Sequence, residues 1–173
     1  MRVNLYRFIA TGCGVGLIPF APGTFGSLLA VPPAYFLATE VRNIPALSMQ
    51  VGILLCWIGI RSCGRCLQGA GVRIQGSERR RAGKDSDPSE IVIDEVLGQW
   101  ITYGILFSAY PLTGPMLWAG LGFGFLAFRL FDILKPWPVS WADRKVKGAL
   151  GIMLDDIIAG ALAGGVVALA LWQ

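Results

Sequence analysis

Two adjacent acid pairs, Asp94-Glu95 and Asp155-Asp156, lead into apolar stretches, and another acid, Asp132, stands near the end of a third such stretch. The chain has eleven acids, and Asp87, Glu90, Asp94, Glu95, Asp132, Asp143, Asp155 and Asp156 all lie in its second half. Carboxylates gathered where water is scarce repel one another, and an ionised group there is costly unless a cation balances it. A divalent metal supplies that balance. There is no histidine, so the usual proton shuttle and the commonest transition-metal ligand are both missing. Ser-His-Asp hydrolases, histidine-nucleophile phosphatases and His-ligated zinc or iron sites are thereby excluded. Oxygen-only donors point to a hard ion, Mg2+ first and Mn2+ or Ca2+ after it. Mg2+ keeps waters and engages substrate phosphate, so a few carboxylates suffice.

Cations lie beside the acids. Arg129, Asp132 and Lys135 recur every three residues in AFRLFDILKP and share one broad helix face, and Pro136 and Pro138 then end the helix. Asp143-Arg144 follow within WADRKVKG. A phosphate approached by Arg129, Lys135 and Arg144, with a metal held by acids opposite, would be neutralised from both sides. Near the start of the chain, GCGVGLIPFAPGTFGS (Gly12 to Ser27) can present successive backbone N–H groups to an oxyanion, and Thr24 adds a hydroxyl. It matches neither the Walker pattern nor a dinucleotide fingerprint. Each acid group also has a purely structural account. Acids at a helix start are favoured by the helix dipole, and Asp132, at the disfavoured end, can lean on Arg129.

Other motifs carry less. The triplet Asp85-Ser86-Asp87 is like an aspartyl-phosphatase nucleophile, but a polar basic loop precedes it where that chemistry needs a buried strand. Cys63 and Cys66 form a CxxC with no second pair, and none of Cys13, Cys56, Cys63 or Cys66 has an arginine six positions later, so a thiol-phosphatase loop is absent. The cysteines read as structural, in a reducing compartment.

The elements that must position these residues are membrane helices. Hydrophobic residues make up 54% of the chain and charged ones only 15%, against roughly a quarter charged in a soluble domain. The length suits one domain, 1–173. Apolar segments run over Leu28–Val41, Ala46–Ile60, Val96–Leu112, Met116–Leu134 and Ile157–Trp172, with Pro32-Pro33 interrupting the first. The expected fold is an all-α compact bundle with four or five short or kinked membrane helices. A soluble bundle with apolar core helices is the alternative. Arg2 and Arg7, the basic run from Arg61 to Lys84, and Lys135, Arg144, Lys145 and Lys147 fall on one side of five segments, which the positive-inside rule makes cytoplasmic. Residues 73–90 read as a basic cytoplasmic loop able to touch anionic lipid. The start of the chain is signal-like but lacks a cleavage pattern, so it reads as retained. A net charge of +4 with no interleaved aromatics argues against nucleic acid. On this topology the acids of the last three segments meet at the cytoplasmic face.

The stretches TGCGVGLIPFAPGTFGS (Thr11 to Ser27), EIVIDEVLGQWIT (Glu90 to Thr102) and FRLFDILKPWPVSWADRKVKGALGIMLDDIIAG (Phe128 to Gly160) together resemble the phosphatidylglycerophosphatase A family. The resemblance implies a mostly helical membrane protein around a central helix. It implies a Mg2+-dependent phosphatase of the bacterial-type inner membrane that converts phosphatidylglycerophosphate to phosphatidylglycerol, its lipid tails staying in the bilayer. Cys13 and the long basic loop depart from the familiar pattern. On this reading Glu95, Asp132, Asp155 and Asp156 bind metal, Asp94 or Asp143 orients or deprotonates water, and Thr24, Arg129, Lys135 and Arg144 hold phosphate. An aspartyl-phosphate intermediate is the alternative to direct attack by water. The rival functions are a phosphatase for another lipid or isoprenoid phosphate, a small ion-coupled transporter, whose acids would lie near the midplane, and a non-catalytic scaffold.

Overall fold

The computed structural model describes residues 5–40, 44–69, 90–146 and 148–171. Apart from Glu90, the expected basic loop at 73–90 lies outside the described residues, as does Lys147. Eight α-helices follow in order among the described residues: α1 Leu5–Ala10, α2 Pro22–Leu29, α3 Val31–Glu40, α4 Ile44–Gly69, α5 Ile93–Ala109, α6 Gly114–Leu134, α7 Val139–Lys145 and α8 Ala149–Leu171. A short 3-10 turn, Val15–Leu17, joins α1 to α2.

Three of these helices are long and apolar enough to cross a membrane, over Pro45–Arg65, Gly114–Leu134 and Gly148–Leu171. The four or five expected included short or kinked helices, and the elements outside these three are short for local reasons. The first apolar segment is divided between α2 and α3 at Ala30. Pro32 and Pro33 fall in the first turn of α3, where a missing N–H costs nothing. α5 has 17 residues, about 26 Å, and carries acids in its first turn. Outward-facing Ile53, Trp57, Trp118, Phe123, Leu126 and Ile133 are each more than half exposed, a surface suited to lipid rather than water.

α5 is the central helix, in contact with α2, α3, α4, α6 and α8. Its buried side reads Ile93, Asp94, Leu97, Gly98, Gln99, Trp100, Thr102, Tyr103, Leu106 and Phe107. The closest approach is to α8. A side chain at Gly98 would strike the Asp156 carbonyl at 2.7 Å, and one at Gly160 would strike the Gly98 carbonyl. Only glycine permits backbones this near. Thr102 Oγ1 lies 3.1 Å from the carbonyls of both Gly98 and Gly160 and donates at this crossing. Gly98 is one turn beyond Asp94, and Gly160 one turn beyond Asp156, so the crossing fixes the register of the two acid pairs. On the other flank, Trp100 Nε1 donates to the Ser48 carbonyl of α4 at 2.9 Å, and Tyr103 Oη to the Leu121 carbonyl of α6 at 3.0 Å.

α4 runs past Ile60 through RSCGRC. Cys63 is fully buried there, and Arg61 and Arg65 lie over the rings of Trp57 and Tyr6, which gives the cations a place on a long apolar helix. The side chain of Cys66 is outside the described residues. α8 begins at Ala149, eight residues before the expected apolar segment at Ile157, because Leu150, Ile152, Met153 and Leu154 extend the apolar helix, with Gly151 lying against the Val146 carbonyl. Asp155 and Asp156 therefore sit inside α8 rather than at its entrance.

Candidate active site

The first turn of α5 and the second turn of α8 bring three acids together. Ligand oxygens of Asp94, Glu95 and Asp156 all lie within 4.8 Å of one another. Asp94 and Asp156 are 8% and 3% exposed, so the charges are largely out of water. Glu95 N–H donates to Asp94 Oδ1 at 3.2 Å, while Glu95 Oε2 is buried without a hydrogen-bond partner. Asp132 is among the charges Asp156 feels most strongly, together with Glu95 and Asp155. Removing a carboxylate from water costs several kcal/mol even after relaxation. Three at this separation, with an orphaned oxygen among them, form a donor set that fits a hard divalent cation.

The cations flank this set on two sides. Arg129 Nη1 donates to Asp132 Oδ2 at 2.6 Å and reaches Ser27 Oγ of α2 at 3.4 Å. Its Nε is buried without a partner. Lys135 ends α6 in the left-handed region, φ +45°, unusual for a residue with a side chain. This conformation takes it off the α6 face shared by Arg129 and Asp132. Its Nζ donates to Asp155 Oδ2 and, at 2.9 Å, to Asp143 Oδ1. Burial pulls the Lys135 ammonium down, but the hydrogen bonds and charges of Asp143 and Asp155 outweigh it and hold the group above the ordinary lysine range.

α2 closes the third side. A Cβ at Gly23 would meet the Glu95 carboxyl carbon at 3.2 Å and Arg129 Nη1 at 3.4 Å. The glycine of APGT is thus the place where α2 lies against both charges. Ala21, φ +47°, and Pro22 start this helix, and Ser27 Oγ donates to the Gly23 carbonyl at 2.9 Å. Thr24 is half-buried in the same turn as Gly23. In the segment before it, residues 12–18 turn their amides inward. The amides of Gly12, Cys13, Val15, Gly16, Leu17 and Ile18 donate to backbone carbonyls, and that of Gly14 to Thr11 Oγ1. The entry of α5 is held by α1, through the Val92 amide on the Ala10 carbonyl at 2.9 Å and the Arg7–Glu90 ion pair at 2.8 Å.

Of the residues singled out in the sequence, Glu95, Asp156 and Asp94 share one cluster, joined through Asp156 to Asp132 and its partner Arg129. Asp155 is turned to Lys135, with its second oxygen, Oδ1, buried and unpartnered. Asp143 and Arg144 are exposed on α7, Asp143 tied back through Lys135. Sequence reasoning missed Gly23, Ser27, the Gly98–Thr102–Gly160 crossing, and Gln99, which is fully buried with neither amide atom hydrogen-bonded. The APGT and GQW motifs contain Gly23 and Gln99 and were the available signal.

The fold and this site define a class: helical proteins with candidate membrane spans that hold buried carboxylates and fixed cations at one end of the bundle. More narrowly, the chain belongs to the phosphatidylglycerophosphatase A family, whose model matches residues 8–171. It is similar to phosphatidylglycerophosphatase A of Escherichia coli strain K12, at 37% identity over 95% of this chain and 82% of the relative. The Haemophilus influenzae protein of the same name is 32% identical over 99% of this chain and 92% of its own length. A Bacteroides thetaiotaomicron protein provisionally named a phosphatidylinositol-3-phosphatase is 33% identical over 95% of this chain and 92% of its own. No solved structure matches the chain significantly. Family membership makes the protein an enzyme, a phosphoric monoester hydrolase.

Proposed function

We propose that this chain is a Mg2+-dependent lipid phosphatase that hydrolyses phosphatidylglycerophosphate to phosphatidylglycerol and phosphate, working at the cytoplasmic face of a bacterial-type inner membrane as a single membrane-embedded domain. The observation that carries the reading is the convergence of Asp94, Glu95 and Asp156 from two helices, with Arg129 and Lys135 fixed beside them. Asp94, Glu95 and Asp156 would hold the cation, with Asp132 close by. Asp94, expected from the sequence as a base, thereby takes a ligand role. Bound there, Mg2+ supplies charge stabilisation to the phosphoryl oxygens.

The chain's own side chains do the rest. Arg129 keeps Nε uncommitted while Asp132 fixes its guanidinium plane, so it can grip a phosphate oxygen without first losing rotamer freedom. Lys135 stays charged at neutral pH and neutralises the same phosphate, and Thr24 and the exposed Arg144 complete its surroundings. Water attacks phosphorus, the phosphorus–ester oxygen bond breaks, and the glycerol oxygen leaves carrying the proton taken from the water. Asp155, whose Oδ1 is buried and unpartnered, would take the proton of the attacking water and pass it to the glycerol oxygen, with Asp143 restraining Lys135 at the rim. Lipid tails stay in the apolar layer throughout, since the acids lie at one end of the bundle.

A second reading, a phosphatase for a different phosphorylated lipid, is favoured by the provisional name of the Bacteroides relative. Phosphate release from phosphatidylglycerophosphate and from phosphatidylinositol 3-phosphate in detergent, with EDTA and after Mg2+ is restored, separates the two. The expected result is Mg2+-restored release from the first substrate in clear preference to the second. Release insensitive to EDTA, or none from either lipid, would overturn the proposal.

A further inference from the structure

A cavity of about 820 Å³ opens between α4 and α5, with none of the acids among its lining residues. Its walls include Gly52 and Cys56 of α4, Leu97, Ile101 and Ser108 of α5, and Ile157 of α8. The only polar side chains among its lining residues are Ser48, Cys56, Trp100 and Ser108, and Trp100 Nε1 is already spent on the Ser48 carbonyl. The cavity therefore offers a ligand shape and apolar contact, with little to hydrogen-bond. A polar ligand gains nothing there. A hydrocarbon chain does.

Its position relates it to the site. On α5 the lining runs from Leu97 through Trp100, Ile101, Gly104 and Ile105 to Ser108 and Ala109. This is a single helical stripe, and Asp94 stands on it one turn before Leu97. On α8, Ile157 directly follows Asp156. From Leu97 to Ala109 the stripe covers about 18 Å along the helix axis, close to the roughly 15 Å depth of one leaflet. A groove beginning one turn below the acids and continuing for one leaflet has the place and length of one acyl chain.

We infer that the α4–α5 groove binds one acyl chain of the lipid whose phosphate lies at the acid cluster, so that the enzyme selects chain-bearing phosphate monoesters over water-soluble ones. This rests on the lipid-phosphatase reading above. Two substitutions fill the groove outside the catalytic machinery. Gly104→Leu extends a side chain from a position where a Cβ fits, 3.6 Å from Ser48 Oγ, and Ala109→Trp blocks the exposed far mouth without touching the helix crossing.

The test measures kcat/KM for dioleoyl and dihexanoyl phosphatidylglycerophosphate in micelles of fixed composition, with light scattering for oligomeric state. For the wild type, the long-chain substrate is expected to be favoured by about tenfold or more, as several buried methylenes would give. In either variant that preference falls toward unity while dihexanoyl turnover is kept. An unchanged preference in both folded variants overturns the inference and marks the groove as a bed for bulk lipid. A changed oligomeric state overturns it too, in favour of a contact between copies of this chain. If wild type releases no phosphate from either substrate, the lipid-phosphatase reading itself has failed; release from both with no chain-length preference sinks the groove assignment alone.

Discussion

The two adjacent acid pairs are alike in sequence and unlike in the fold. Asp94-Glu95 lies in the first turn of α5, where exposed amides and the helix dipole favour negative charge. Asp155-Asp156 lies nearly two turns inside α8, beyond the reach of that effect, which fades within the first turn. Within the second pair the neighbours also part company. Asp156 turns to Asp94 and Glu95, whereas Asp155 turns to Lys135. A structural account suffices for the first pair alone. It fails for Asp156, a buried charge set among like charges in an apolar helix, and that failure identifies the site.

The largest expected effect comes from substituting the two neighbours in α8 separately. Asp156→Asn should lower kcat on the order of 10³-fold by removing charge that holds the cation. In EDTA the same change should raise Tm, because one of three mutually repelling carboxylates is gone. Asp155→Asn should lower kcat less, about 10²-fold, and should lower Tm. It takes a partner from Lys135, at a cost of about 2 kcal/mol, below that of a fully buried pair because the lysine side chain keeps 25% of its exposure. Phosphate release and thermal scans check both, and equal signs of the Tm change would erase the distinction.

Smaller effects probe the surroundings of the first pair. Gly23→Ala should cost about tenfold in kcat/KM by displacing Glu95 and Arg129, with far-UV circular dichroism unchanged. Lys135 contributes stability that is fully present below its unfolded pKa and is lost as pH rises through the higher folded value. Between pH 6 and 9, Tm should therefore show no inflection from this residue, and the wild-type and Lys135→Met profiles should run parallel there. At the low end, Arg7→Ala removes an exposed pair with Glu90 and should cost less than about 1 kcal/mol without altering kcat.

Much of this was legible in the sequence. The apolar helices, the convergence of acids from distant stretches, and the cations beside them follow from composition, period and the placement of scarce charge. The number of long spans was less legible, since hydropathy does not show that the chain breaks at Ala30 or that α5 is short and central. The partition of the second acid pair was not legible at all. It depends on Lys135 adopting a left-handed conformation at the end of α6, where it meets Asp143 and Asp155 from other helices, and on α8 reaching back to Ala149. Gly98 and Gly160 stood among 23 glycines, and only the α5–α8 crossing shows why these two set the register.

The most direct test of the central claim is cation binding by calorimetry, titrating Mg2+ into wild-type protein, Asp156→Asn and Asp155→Asn in the same detergent. A site built by Asp94, Glu95 and Asp156 predicts binding in the wild type, its loss in Asp156→Asn and its retention in Asp155→Asn. Equal binding by all three proteins, or none by the wild type, would contradict it.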